Sequence, residues 1–162
     1  MLVTKIPTEF GSFLTCLKIQ LFSTDLAAFT TAGAKTFLLT GNGIQNALSA
    51  VNSGNVTIPA GGCVLGARLH LVTSFTGGAL SAVTLSVGKG GGSATYLLGA
   101  SDVFTAGGDT VWYGETPLLK SGQQTAWNVN VTFTPTGDVL GNATAGEADL
   151  YLYFFNVSDP TA

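Results

Sequence analysis

"QTAWNVNVTFT", residues 124–134, alternates without a break. Thr125, Trp127, Val129, Val131 and Phe133 fall on one side of an extended chain; Ala126, Asn128, Asn130 and Thr132 fall on the other. Side chains of a strand point to its two faces in turn, so this stretch reads as a strand with one face in a core. Its register is well specified, because a slip of one residue would put Trp127 and Phe133 in water.

The same period runs outward from there. In "EADLYLYFFNV", residues 147–157, Ala148, Leu150, Leu152 and Phe154 form an apolar face, while Tyr151, Tyr153 and Phe155 form an aromatic one. A strand greasy on both faces is central in its sheet or meets a partner. In "CVLGARLHLVTSF", residues 63–75, Leu65, Ala67, Leu69 and Leu71 oppose Arg68 and His70. After the turn signal at Gly77-Gly78, Val83, Leu85 and Val87 alternate with Ala82, Thr84 and Ser86, which predicts the second arm of a hairpin. Leu17, Ile19 and Leu21 alternate with Cys16, Lys18 and Gln20. "KTFLLT" from Lys35 and "NVTIPAGG" from Asn55 are shorter runs, the second stopped by Pro59. "STDLAAF" from Ser23 predicts one helical turn, capped by Ser23 or Thr24.

No long amphipathic helix appears, and Gly, Pro or Asp turns separate the strands. The expected fold is all-β: an antiparallel β-sandwich, jelly-roll-like, in one domain over residues 1–162. Residues 1–13 read as a short extended N-terminal arm. Leu2, Val3, Ile6, Phe10 and Phe13 are spaced irregularly among polar residues, which suits a segment laid on a neighbouring subunit or along its own sandwich.

Composition narrows the function. The chain has 162 residues, enough for a core without staples. Charged residues make up 9%, against a usual level of about 25%. Gly, Ala, Ser, Thr and Asn replace them, which keeps the surface hydrated but protects it poorly against self-association. The net charge of -3 argues against a nucleic-acid partner. "FTGGALSAVTLSVG", residues 75–88, is chargeless, yet Gly77-Gly78 interrupts it and hydroxyls alternate through it, so it is no membrane span. Nothing in the first twenty residues reads as a signal peptide, so synthesis in a cytoplasm is expected. There Cys16 and Cys63 are expected as free thiols.

Groups for catalysis are sparse. His70 is the only histidine and shares a strand face with Arg68. No serine sits in a G-x-S-x-G elbow. Asp102 and Asp109 lack the spacing of a Ca²⁺ loop, and aspartates in such turns more commonly cap backbone N–H groups. "GKGGGS", residues 88–93, lacks the Lys-Ser/Thr ending of a phosphate loop and reads as a flexible loop. Trp112 and Tyr113 could stack on a sugar or close one end of the sandwich. No enzyme activity, cofactor or metal is expected.

"IPAGGCVLGARLHLVTSFTGGALSAVTLSVG", residues 58–88, resembles small virion structural proteins of tailed bacteriophages. In those an "IPAG" turn leads to a hydrophobic strand, an F-x-GG turn, and an alternating strand ending in "SVG". The resemblance continues in "YLLGASDVFTAGGDTV" from Tyr96 and "TPTGDVLGNATAGEADLYLYF" from Thr134. It implies a β-sandwich component of a phage particle, with no catalytic residues. The function so implied is a capsid decoration or cement protein that binds the major capsid protein and stabilises the head, by analogy a homotrimer. A tail or fibre component is the alternative within the virion. A carbohydrate-binding module using Trp112, Tyr113 or Trp127 is the alternative of another class. The expected contact residues are Leu2, Val3, Ile6, Phe10 and Phe13 of the arm and Tyr151 and Tyr153 of the last strand.

Overall fold

The computed structural model describes residues 2–6, 14–38, 57–58, 63–114 and 127–155. Among these the chain forms β1 (Leu2–Ile6), β2 (Leu14–Phe22), β3 (Lys35–Leu38), β4 (Thr57–Ile58), β5 (Cys63–Thr76), β6 (Ala82–Lys89), β7 (Leu98–Asp102), β8 (Thr110–Tyr113), β9 (Trp127–Thr136) and β10 (Ala145–Phe155). The only helical pieces among the described residues are two 3-10 turns, Ser23–Leu26 and Leu140–Asn142. No helix there is long and apolar enough to cross a membrane.

The strands make two antiparallel sheets. One is ordered β1-β2-β10-β5-β8; the other is ordered β3-β9-β6-β7, with β4 also paired to β9. The pairings nest. β2 pairs β10, β3 and β4 pair β9, β5 pairs β8, and β6 pairs β7. The chain is thus one long hairpin with its tip between β6 and β7. Rolling that hairpin adds the pairings of β10 with β5 and of β9 with β6. This is an antiparallel β-sandwich, the fold class expected from the alternation.

The core lies between the sheets and is built from the predicted faces, except that past a register shift in the pairing of β5 with β10 Val64 packs against it in place of the expected Leu65. β9 contributes Trp127, Val129, Val131 and Phe133; β10 contributes Ala148, Leu150 and Leu152; all are buried. Leu17, Ile19 and Leu21 of β2 join Ala67, Leu69 and Leu71 of β5 and Val83, Leu85 and Val87 of β6 in the same cluster. At one end Phe75 and Phe133 meet edge to face, with centroids 5.1 Å apart. The side chain of Phe154, expected on this face, lies outside the described residues, as do Gln124–Ala126.

Three local expectations are corrected. First, β5 and β6 are not two arms of one hairpin. They belong to different sheets, so the turn at Gly77-Gly78 carries the chain across the sandwich. Gly78 has φ +55°, and a Cβ there would lie 2.4 Å from Oδ2 of Asp138. Asp138 accepts from the backbone N–H of Ala79 at 2.9 Å and of Val139 at 2.8 Å, which clips the crossing to the turn at Leu140–Asn142. Secondly, the turn at Ser23 is closed by Asp25, whose Oδ2 accepts from the Phe22 N–H at 2.8 Å, and not by Ser23 or Thr24. Thirdly, the glycine-rich loop after β6 is tied down. Gly90 N–H donates to the Asn128 carbonyl at 2.7 Å, and Lys89 N–H donates to that of Ser93 at 3.0 Å.

Candidate assembly interface

The two outward sheet faces differ in chemistry. On the β9 sheet, Thr36, Thr84, Ser86, Asn128, Asn130, Thr132 and Thr134 lie opposite the core-facing set. Thr36 and Thr132 join their hydroxyls across the strands at 2.7 Å. Ser86, Asn130 and Thr132 are buried by their own neighbours. The chargeless stretch 75–88 contributes Thr84 and Ser86 to this face, hydroxyls that are far cheaper to cover with protein than charges are.

The face of the β10 sheet is aromatic and charged. Register lines its residues up in rows. Tyr153 lies between Cys16 and Gly66, Tyr151 between Lys18 and Arg68, and Asp149 between Gln20 and His70. The middle row continues through Arg68 to Tyr113 on β8. Lys18 Nζ and Arg68 Cζ lie 5.8 Å and 5.1 Å from the Tyr151 ring centroid, so one ring is flanked by two cations. Lys18 also meets Asp149 Oδ2 at 2.8 Å. That hydrogen bond, backed by the Asp149 charge, raises the Lys18 pKa. Tyr153 and Cys16 share a side-chain hydrogen bond. Burial is the main cause that pushes both the Tyr153 and the Cys16 pKa up. His70 Nε2 lies 3.2 Å from Oδ1 of the exposed Asp109, which fits the reading of His70 as a polar face residue.

Tyr151 and Tyr153 are half-buried on this face, β10 being central and not an edge. Leu2, Val3 and Ile6 fall in β1, paired in register with Gln20, Ile19 and Cys16 of β2. The first residues therefore form the edge strand of the chain's own sheet. Phe10 and Phe13 lie outside the described residues. The fold brings β1 and the tyrosines of β10 into one sheet, with only β2 between them. Lys18, Arg68 and Tyr113 were not anticipated as members of this face. Their association depends on strand register, and the available signal was only the alternation of Arg68 and His70 against leucines.

Asp109 faces His70, while Asp102 caps its turn. Asp102 Oδ1 accepts from the N–H groups of Phe104 at 2.8 Å and Thr105 at 3.0 Å, and Thr105 Oγ1 donates to its other oxygen. Among the described residues no group of three His, Cys, Asp or Glu side chains could hold a metal ion. Of the aromatics considered for sugar stacking, Trp127 is buried and Trp112 packs against the core; Tyr113 is 69% exposed.

No family model matches the chain, and no curated protein matches it. Solved structures do. The chain is similar to one in the cyanophage Pam1 capsid asymmetric unit, with TM-score 0.57 and 20% identity over 94% of this chain and 91% of that one. It is similar to a chain in the capsid of Ralstonia phage GP4, with TM-score 0.51 and 19% identity over 96% and 92%. A third likeness is to a chain in the acidic stable capsid of Helicobacter pylori bacteriophage KHP30, with TM-score 0.51 and 13% identity over 96% and 94%. What these likenesses establish is the fold, matched over nearly the whole of each chain.

Proposed function

We propose that this chain is a structural protein of a phage virion, and specifically a decoration or cement protein that binds the outside of the head shell. The observation that carries the proposal is the end-to-end fold likeness to a chain of a phage capsid asymmetric unit, covering 94% of this chain and 91% of that one. The low charge supports it, because a surface covered by protein does not need charge for solubility. The partners in this reading are the major capsid protein and further copies of the chain, with a homotrimer as the favoured assembly. Binding to its neighbours supplies stability by mass action.

Two elements are suited to the contact. β1 lies at the end of its sheet, where a strand presents unpaired backbone N–H and C=O groups to a neighbour. The face bearing Tyr151 and Tyr153 lies in that same sheet. Removing the residues before Gly11 is expected to leave a folded protein that binds heads lacking this chain much more weakly. Because the arm's contact is apolar, its contribution survives moderate salt. Unchanged binding by the truncated protein would move the contact wholly to the tyrosine face. The measurement is co-sedimentation of purified protein with heads assembled without it, beside circular dichroism of the truncated chain.

A further inference from the structure

The two sheets treat their edges differently. On the β9 sheet the outer strands carry the usual protection against further pairing. β3 opens on Lys35, and β7 ends on Asp102 and pairs β6 across a shift in register. On the β10 sheet the outer strands are β1 and β8, and among the described residues no strand pairs the far side of either. β8 reads "TVWY", residues 110–113, all of them strand formers, with no charge and no proline. Gly114 donates its N–H back to the Ala67 carbonyl of β5 at 2.8 Å. Antiparallel pairing alternates along a strand, so the N–H and C=O groups of Val111 and Tyr113 point away from β5, to the open edge. Tyr113 is the one large apolar side chain exposed among the described residues, and Val111 and Trp112 are only half-buried. An open apolar edge of this kind is a template for another strand.

Charge selects the strand that fits. β8 is bracketed by carboxylates, Asp109 before it and, in sequence, Glu115 after it. The Asp109 side chain is 96% exposed. β1 reads "LVTKI", residues 2–6, with Lys5 as its one charge. Pairing β8 with β8 of a second copy would gather the two carboxylates of each and no lysine. Pairing β1 with β1 would gather two lysines and no carboxylate. Like charges on neighbouring strands oppose pairing, and opposite charges support it. Of the three combinations, only β1 with β8 meets that condition. The lengths agree as well, at 5 residues and 4.

We infer that β1 of one copy joins the open edge of β8 in the next, so that the β10 sheet runs on from subunit to subunit. Such a link uses two different surfaces, and its repetition closes into a ring where the rotation allows, as in the homotrimer proposed above. This rests on the reading of further copies as partners and gives their contact a geometry.

Two variants each spoil one edge. Removing the residues before Gly11 deletes β1 and keeps β8. Val111→Pro keeps β1 and removes an N–H at the open edge, where a proline leaves the pairing with β5 intact. By native mass spectrometry the unaltered protein is expected as an oligomer and each variant alone as a single chain. Mixed, the two variants are expected to form a one-to-one pair, because one intact β1 and one intact β8 remain. The Tyr113 amide is expected to exchange with solvent about tenfold or more slowly in the unaltered protein than in Val111→Pro. A monomeric unaltered protein overturns the inference, as does either variant assembling like the unaltered chain, or a mixture of folded variants that stays apart. Should the truncated chain fail to fold, the Tyr113 amide decides, and equal exchange in the two proteins overturns the link. Protection of that amide only when heads are added overturns it in favour of the shell protein at this edge. If the pattern is found and the protein does not bind heads lacking it, the virion reading fails and the link stands. If heads bind a chain that stays monomeric, the reading stands and the link fails.

Discussion

Gly146 faces the ring of Phe75 so closely that a Cβ on it would lie 2.3 Å from Cδ1 of that ring. The backbone there has φ +146°, at an irregularity in the pairing of β10 with β5 between Ala145 and Glu147. Phe75 in turn meets Phe133, so this glycine lets the end of one sheet seat an aromatic pair that belongs to the core. Gly146→Ala must both strain the backbone and displace a fully buried ring. It is expected to destabilise the fold by about 2–4 kcal/mol, the range of overpacking and backbone strain combined. A denaturant midpoint that does not move would contradict this packing.

Phe133 is fully buried from the other sheet. Phe133→Ala removes one partner of the edge-to-face pair and opens a cavity, at an expected cost of about 3–5 kcal/mol. An equilibrium urea titration measures it. A loss below about 1 kcal/mol would place Phe133 outside the core.

The cysteines occupy strands on opposite sides of β10. Cys16 is register partner to Tyr153 and Cys63 to Phe155. Two strand spacings amount to about 9–10 Å, beyond the Cα separation a disulfide spans. Cys16 is a buried free thiol with a raised pKa, so its thiolate is scarce at neutral pH. Alkylation without reductant is expected to modify both cysteines in denaturant and to leave Cys16 unmodified in the folded protein. A denatured monomer lacking two adducts would demonstrate a disulfide.

Acid should weaken the crossing between the sheets. Backbone N–H donation from Ala79, with Asn142 and the Val139 N–H, holds the Asp138 carboxyl below the usual carboxylate range. The Thr105 hydroxyl and the N–H groups of Thr105 and Phe104 do the same for Asp102. A depressed folded-state pKa contributes stability that is full above the unfolded value, about 3.9, and is lost as pH falls through the folded value. Asp138→Ala is therefore expected to be less stable than the unaltered chain at pH 7, with the difference closing as pH falls below about 4. A gap that stays constant on acidification would exclude the carboxylate as its source.

The strands of the core were legible because alternation in β9 and β10 is strict and its apolar positions are buried, although Asn130, Thr132 and Asp149 on the outward faces are buried as well. Which strands pair was not legible. Val83, Leu85 and Val87 carry the same pattern whether β6 folds back on β5 or crosses to the other sheet, since periodicity records burial and not partners. The turn residues Gly77 and Gly78 fit either outcome. Tyr151 was recognisable as an outward aromatic, but its two flanking cations come from β2 and β5, some fifty residues apart in sequence, and only register joins them. Asp25 was overlooked as a cap because it closes its turn from the third position and not from the start.

The proposed function puts this sandwich on the head of a phage particle. A density map of purified particles, with mass spectrometry of the same preparation, checks that placement. The chain is expected in the particles, its sandwich fitted into density on the outer surface of the shell, with β1 and the Tyr151 face against neighbouring protein. Particles that lack the chain, or density that shows it only in the tail or fibres, would overturn the proposal.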